Sequence, residues 1–124
     1  MSVIVRDDGF HAEDYQGDKA IDIAADTLPE ALPRSFDGID LIRVAFPAFS
    51  DGRGFTLARQ LRWRGYAGRL RAAGPVISDQ YAMARRSGFD EVEIPDDLAA
   101  RQPEAQWVFR ADWREHDYRS RLKA

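Results

Sequence analysis

Between Ile39 and Ile94 the chain alternates twice between a short apolar run and a helix-length amphipathic stretch that ends on glycine. The first run, "IDLIRVAFP" (39–47), is rich in β-branched and aromatic residues and is closed by Pro47, which reads as a strand. Residues 55–64 carry Phe55, Leu57, Ala58 and Leu61 on an apolar stripe, with Arg59, Arg62 and Arg64 largely off it. Gly65 follows where a left-handed C-cap belongs. "GRLRAAG" (68–74) alternates, Leu70 and Ala72 to one side, Arg69 and Arg71 to the other. "PVISDQYAMARRSG" (75–88) predicts a second helix, opened by Pro75 and capped by Gly88, and "FDEVEI" (89–94) the next strand. Short connections in this order predict a βαβαβ unit with right-handed crossovers. The expected fold class is α/β: a single domain of βαβ units on a mainly parallel sheet, either an open sheet or a partial barrel. The 39–47 strand is apolar at nearly every position, which predicts burial on both faces in a sheet covered by helices.

The flanks carry weaker signals. "VIV" (3–5) reads as an edge strand, "RDDGFHAEDYQGD" (6–18) as polar loop, and "KAIDIAAD" (19–26) as a strand on Ile21 and Ile23. "TLPEALPRSFDG" (27–38) predicts a short helix capped by Thr27, started at Pro29 and ended by Gly38. "DDLAAR" (96–101) reads as a helix and "AQWVFR" (105–110) as a strand. Residues 104–124 form a charged tail with Trp107, Phe109, Trp113 and Tyr118 as anchors for docking on the domain or on a partner. One domain is expected over residues 1–124, a length with room for a single modest core.

Composition removes several chemistries. The chain has no cysteine, which excludes disulfides, thiol nucleophiles and cysteine-held zinc or iron–sulfur clusters. Its two histidines, His11 and His116, lie near opposite ends without ligand spacing, so no metal site is expected. No apolar stretch approaches the ~20 residues of a membrane span, and "MSVIVRDDGFHAEDY" is unlike a secretory signal, so a cytoplasmic protein is expected. No glycine-flanked serine, HExxH, Walker loop or GxGxxG fingerprint is present.

Charge is unevenly placed. Residues 1–51 hold eleven acids and four bases, residues 52–86 hold eight arginines and one acid, and residues 87–124 hold nine acids and six bases. An all-arginine block suits bidentate contact with flat oxyanions. At least half of these arginines are expected to pair with the acids of the flanking segments. A pI near 5.4 argues against nucleic acid as a partner, despite Trp63 and Tyr66 among the arginines.

Sites in open α/β sheets form at the carboxyl ends of the strands, which here means the loop around "SDGRG". Gly52 and Gly54 permit close backbone approach, Arg53 sits between them, and the helix beyond offers N–H groups and positive potential. The loop is either an anion cradle or a plain turn in which Asp51 caps the helix and Arg53 pairs with a surface acid. Arg71 and Gln80, at the next strand and helix, are expected on the same rim. The candidate anion-binding set is Gly52, Arg53, Gly54, Arg59, Arg62, Arg71 and Gln80. Asp51 and Asp79 are the candidates for acid–base work, although nothing in the sequence brings them together. Asp79 either orients an arginine or favours a helix start.

Residues 40–94 resemble the core of a bacterial family, DUF934. They match an FP-x-F-x-DGRG-[FY]-[ST]-x-A-R-x-LR block from Phe46 to Arg62, a G-x-[LI]-RA-x-G block from Gly68 to Gly74, the pair Asp79-Gln80, and Gly88-Phe89. Pro75 departs from the pattern, and the two ends carry no matching motif. Members are described as oxidoreductases of sulfite reduction. The resemblance therefore implies an accessory role in assimilatory sulfite reduction, with the arginines holding a small oxyanion or carboxylate or docking on the assimilatory sulfite reductase. No redox cofactor is identified by the residues. Two further readings stand beside it: a cofactor-dependent enzyme acting on an anionic substrate, and a module that forms homodimers through an exposed sheet edge.

Overall fold

A computed structural model of the chain describes residues 2–111. Six strands form one open sheet in the order β2-β1-β6-β5-β4-β3. The strands are β1 (Ser2–Arg6), β2 (Gly9–His11), β3 (Ala20–Ile23), β4 (Leu41–Ala45), β5 (Arg69–Ala73) and β6 (Glu91–Pro95). β3 to β6 run parallel, while β1 lies antiparallel to both β6 and β2. The described residues also form four helices: α1 (Arg53–Trp63), α2 (Tyr81–Ser87), α3 (Asp96–Arg101) and α4 (Glu104–Phe109). No helix among the described residues is long and apolar enough to cross a membrane.

Because β3, β4, β5 and β6 advance in one direction across the sheet, right-handed crossovers place their helices on a single face. Ile42 and Val44 of β4, Leu70 and Ala72 of β5, and Val92 and Ile94 of β6 meet Phe55, Ala58 and Leu61 of α1 and Tyr81 and Ala84 of α2 in one core. This corrects the expectation that helices cover both faces. The other side of β4 presents Arg43, and among the described residues the helices pack on the opposite face.

The glycine signals hold. Gly65 and Gly88 both take positive φ (101° and 115°) and end α1 and α2. Beyond Gly65, Tyr66 N donates to Leu61 O at 3.1 Å, and beyond Gly88, Phe89 N donates to Ala84 O at 3.1 Å, the six-to-one bond of a Schellman end.

Four local expectations are corrected. "VIV" is no edge: β1 lies between β2 and β6, and the polar loop contains β2. Pro75 does not open a helix. It sits in a three-residue turn closed by Val76 N to Gly74 O at 2.8 Å, Ile77 stays extended, and a 3-10 turn (Ser78–Gln80) leads into α2. The 27–38 segment holds only a 3-10 turn (Pro29–Ala31), with no side-chain cap; Gly38 instead turns the chain toward β4. "AQWVFR" is helical: the aromatic and β-branched residues suggest a strand, but Pro103 opens α4 and only Trp107 turns inward. Trp107 is fully buried, its indole N–H donates to Gln102 O at 2.9 Å, and its ring meets Tyr81 edge-on. Trp113 and Tyr118 lie outside the described residues.

Candidate functional site

The carboxyl ends of β4 and β5 are locked together. Phe46 N donates to Ala73 O at 2.8 Å. A Cβ on Gly74 would overlap the Phe46 carbonyl oxygen, and one on Gly54 would overlap the Phe46 ring. Gly54 therefore serves close packing of α1 on β4. Gly52 is exposed, has open space beyond it and takes an ordinary φ of −86°.

Between these glycines the charges satisfy each other. Asp51 Oδ1 accepts from Arg53 N at 3.1 Å and from Arg53 Nε at 3.0 Å, and Asp51 Oδ2 accepts from Nη2 at 2.6 Å. The hydrogen bonds from Arg53 hold the Asp51 carboxyl below its usual range. Gln80 braces the rim: its Nε2 donates to Phe49 O at 2.6 Å and its Oε1 accepts from Ile77 N at 3.2 Å. The concavity at this rim, about 320 Å³, is lined mainly by Phe49, Pro75, Ile77 and Leu98, with Arg101 and Gln102 at its edge. Asp79 is exposed and pairs with Arg110 at 2.9 Å. The two candidate acids thus have separate arginine partners, and no hydrogen bond joins them.

The remaining candidates are scattered. Arg62 is a brace: it donates to Gly88 O, Tyr66 O and Gly68 O at 2.9, 3.0 and 2.7 Å and pairs with Asp90 at 2.9 Å. Arg59 is exposed, with no partner among the described residues. Its helix gives it a setting: α1 has no acid, Thr56 and Gln60 lie beside Arg59, and Trp63 is 84% exposed.

Arg71 leaves the rim altogether, which corrects its expected grouping with Arg53. It stands mid-strand, in register with Arg43 on one side and Glu91 on the other, on the face opposite Leu70 and the described helices. Its side chain is 0% exposed, yet fully partnered. Nε donates to Glu91 at 2.6 Å, Nη1 to Glu93 at 2.8 Å, and Nη1 and Nη2 to the two oxygens of Glu13 at 2.7 Å each. Burial works against its charge, but these carboxylates outweigh it and raise its pKa further. Glu91, 2% exposed, also accepts from Arg6 Nε at 3.1 Å and Arg69 Nε at 2.9 Å. Asp14 accepts from Arg6 Nη2 at 2.8 Å and Arg69 Nη2 at 2.6 Å, and these arginines, Arg69 first, lower its pKa to about 2. Arg43 extends the row by pairing with Asp22 at 2.6 Å and Glu93 at 3.4 Å.

This cluster went unrecognised in the sequence, although half its signal is there. "RLRAA" and "EVEIP" each alternate charge with apolar residues, so adjacent parallel strands set arginines beside glutamates. The other half, Glu13 and Asp14, has no local signature. The flanking acids do take up the arginine block: Arg53, Arg62, Arg69, Arg71 and Arg85 each pair with an acid outside residues 52–86.

No curated protein and no solved structure matches the chain. A family model described as a bacterial protein of unknown function, DUF934, matches residues 20–121, from β3 to beyond α4. It takes in the rim loop, the whole arginine block and the glutamates of β6, and the chain belongs to the DUF934 family.

Proposed function

We propose that this protein is a cytoplasmic accessory factor of assimilatory sulfite reduction that docks on an acidic surface of the sulfite reductase through the outer face of α1. The observation that carries the docking reading is the pairing of Trp63, 84% exposed, with Arg59, four residues earlier on a helix that has no acid and without a partner among the described residues. Tryptophan and arginine dominate binding hot spots, and a basic helix face favours an acidic partner. Arg53 borders this face and is half-exposed, so an incoming carboxylate or oxyanion can compete with Asp51 for it. The sulfur-assimilation setting rests on the family resemblance.

The test is equilibrium binding of the purified protein to assimilatory sulfite reductase at low and high salt. Trp63→Ala and Arg59→Glu should each weaken binding by about tenfold or more, and affinity should fall as salt rises. Folded variants that bind as tightly as the wild type would remove the reading. The homodimer reading retains one observation in its favour, the outer edge of β3, which no strand among the described residues covers. A strict monomer by light scattering at high concentration would eliminate it.

A further inference from the structure

The sheet face opposite the described helices holds a second arrangement, independent of the docking face. Arg6, Arg69 and Arg71 each turn Nε toward one buried carboxylate, Glu91; Arg69 Nη2 also lies 2.9 Å from it, and terminal nitrogens of all three reach outward to further carboxylates. Those outward edges are filled by two consecutive residues of one connection. Glu13 takes the flat edge of Arg71, and Asp14 takes Arg6 and Arg69. The connection, residues 12–19, has no strand or helix, and seven of its eight residues are exposed. Apart from these ion pairs, the Tyr15 hydroxyl donates to Asp40 from the middle of the connection, and at its far end Asp40 N donates to Lys19 O at 3.2 Å. The Glu13 and Asp14 side chains are 46% and 52% exposed, so the carboxylates reach down from solvent onto an arginine that has no exposure at all.

The charges explain why something must sit there. Arg6, Arg43, Arg69 and Arg71 face Asp22, Glu91 and Glu93, so the strand residues alone leave one positive charge in excess; Glu13 and Asp14 reverse the sign. Beside the strap opens a concavity of about 520 Å³ that Arg6, Asp14, Arg69 and Glu91 already line. Its other acids are occupied: Asp7 by Arg85, Asp8 by His11 and Asp90 by Arg62.

We propose that Glu13 and Asp14 are displaceable internal ligands of a three-arginine anion receptor on this face, and that the strap 12–19 lifts when a small dianion, a dicarboxylate or a sulfate-like oxyanion, takes their place. A guanidinium edge that binds a carboxylate in bidentate fashion accepts either ligand with the same geometry. Opening without a replacement is unfavourable, because it uncovers cationic edges whose partners have left. Occupancy and strap position are therefore coupled.

The test uses sodium sulfate and sodium succinate as probes, against sodium chloride at equal ionic strength. Since the chain has no cysteine, Gln16→Cys gives a single exposed site for a nitroxide on the strap. In the otherwise unaltered chain the label should become more mobile as one of the two probes saturates, with matching shifts of the Arg69 and Arg71 Nε resonances. In Glu13→Gln/Asp14→Asn, which weakens the internal competitor, saturation should come at about tenfold lower probe concentration. Adding Arg69→Lys should abolish it. Absence of saturable shifts with both probes in the double variant overturns the proposal, as does saturation with an unchanged label. Should the double variant not fold, the labelled chain decides alone: no mobilisation by either probe beyond that of chloride overturns it.

Discussion

The two faces of this sheet come from the same strands and are held by opposite physics. On one face, Leu70 and Ala72 of β5 lie in an apolar core closed by helices. On the other, Arg69 and Arg71 of the same strand lie in a layer of carboxylates. Apolar burial is non-directional and tolerates imperfect neighbours. A buried arginine is tolerated only when each edge finds an acceptor in the right place. Among the described residues no buried side-chain nitrogen or oxygen lacks a partner, so the charged face meets that demand. An alteration on the apolar face should hurt through lost volume, and one on the charged face through lost geometry.

The largest effect is expected on the helix side. Trp107→Ala empties the space under α4 and should cost about 4 kcal/mol in urea unfolding. A loss under 1 kcal/mol would mean α4 is not part of the core. Next, Glu91→Gln keeps the shape of the charged hub but takes the anion from three arginines. A loss of about 3 kcal/mol is expected, and a variant as stable as the wild type would show that Glu13, Glu93 and Asp14 suffice without it. The smallest effect concerns the strap. Hydrogen bonds from Arg69 and Arg6 lower Asp14, and those from Arg71 lower Glu13. Groups with depressed folded pKa values stabilise fully above the unfolded carboxylate range near ~4 and lose that contribution as pH falls toward about 2. Stability between pH 5 and pH 2.5 should therefore fall less steeply in Glu13→Gln/Asp14→Asn than in the wild type. Parallel curves would show that the strap carboxylates contribute nothing.

Legibility followed sequence distance. The strand–helix–glycine alternation is a local signal, and β4, α1, β5 and β6 appear where it puts them. Gly65 and Gly88 were readable because a left-handed cap is chemically narrow. The aromatic content of α4 resembles a strand, and only the burial of Trp107 beside Tyr81 reveals its helical period. At the candidate site, Asp51 and Arg53 were legible as a turn with its own counter-ion, one of the two alternatives their spacing allowed. Arg71 was correctly assigned to a strand and to the side opposite Leu70, yet its partners could not be named. Glu13 lies 58 residues away in sequence and Arg6–Glu91 spans 85, and no periodicity encodes such pairings.

β1 leaves a ribosome well before β6, with which it pairs from Ser2↔Pro95 to Val5↔Val92. During synthesis the parallel block from β3 to β5 can begin to form while the β1–β2 hairpin waits, with Glu13 and Asp14 tethered between them. Glu91 completes the charged layer only when β6 inserts between β5 and β1. Loop closure over so many residues is slow, and until it happens Arg69 and Arg71 face water on an open strand edge. That edge is presented by cations, which discourages the strand from pairing with a neighbouring nascent chain. The arginines of β5 thus guard the growing sheet before they have carboxylates to hold.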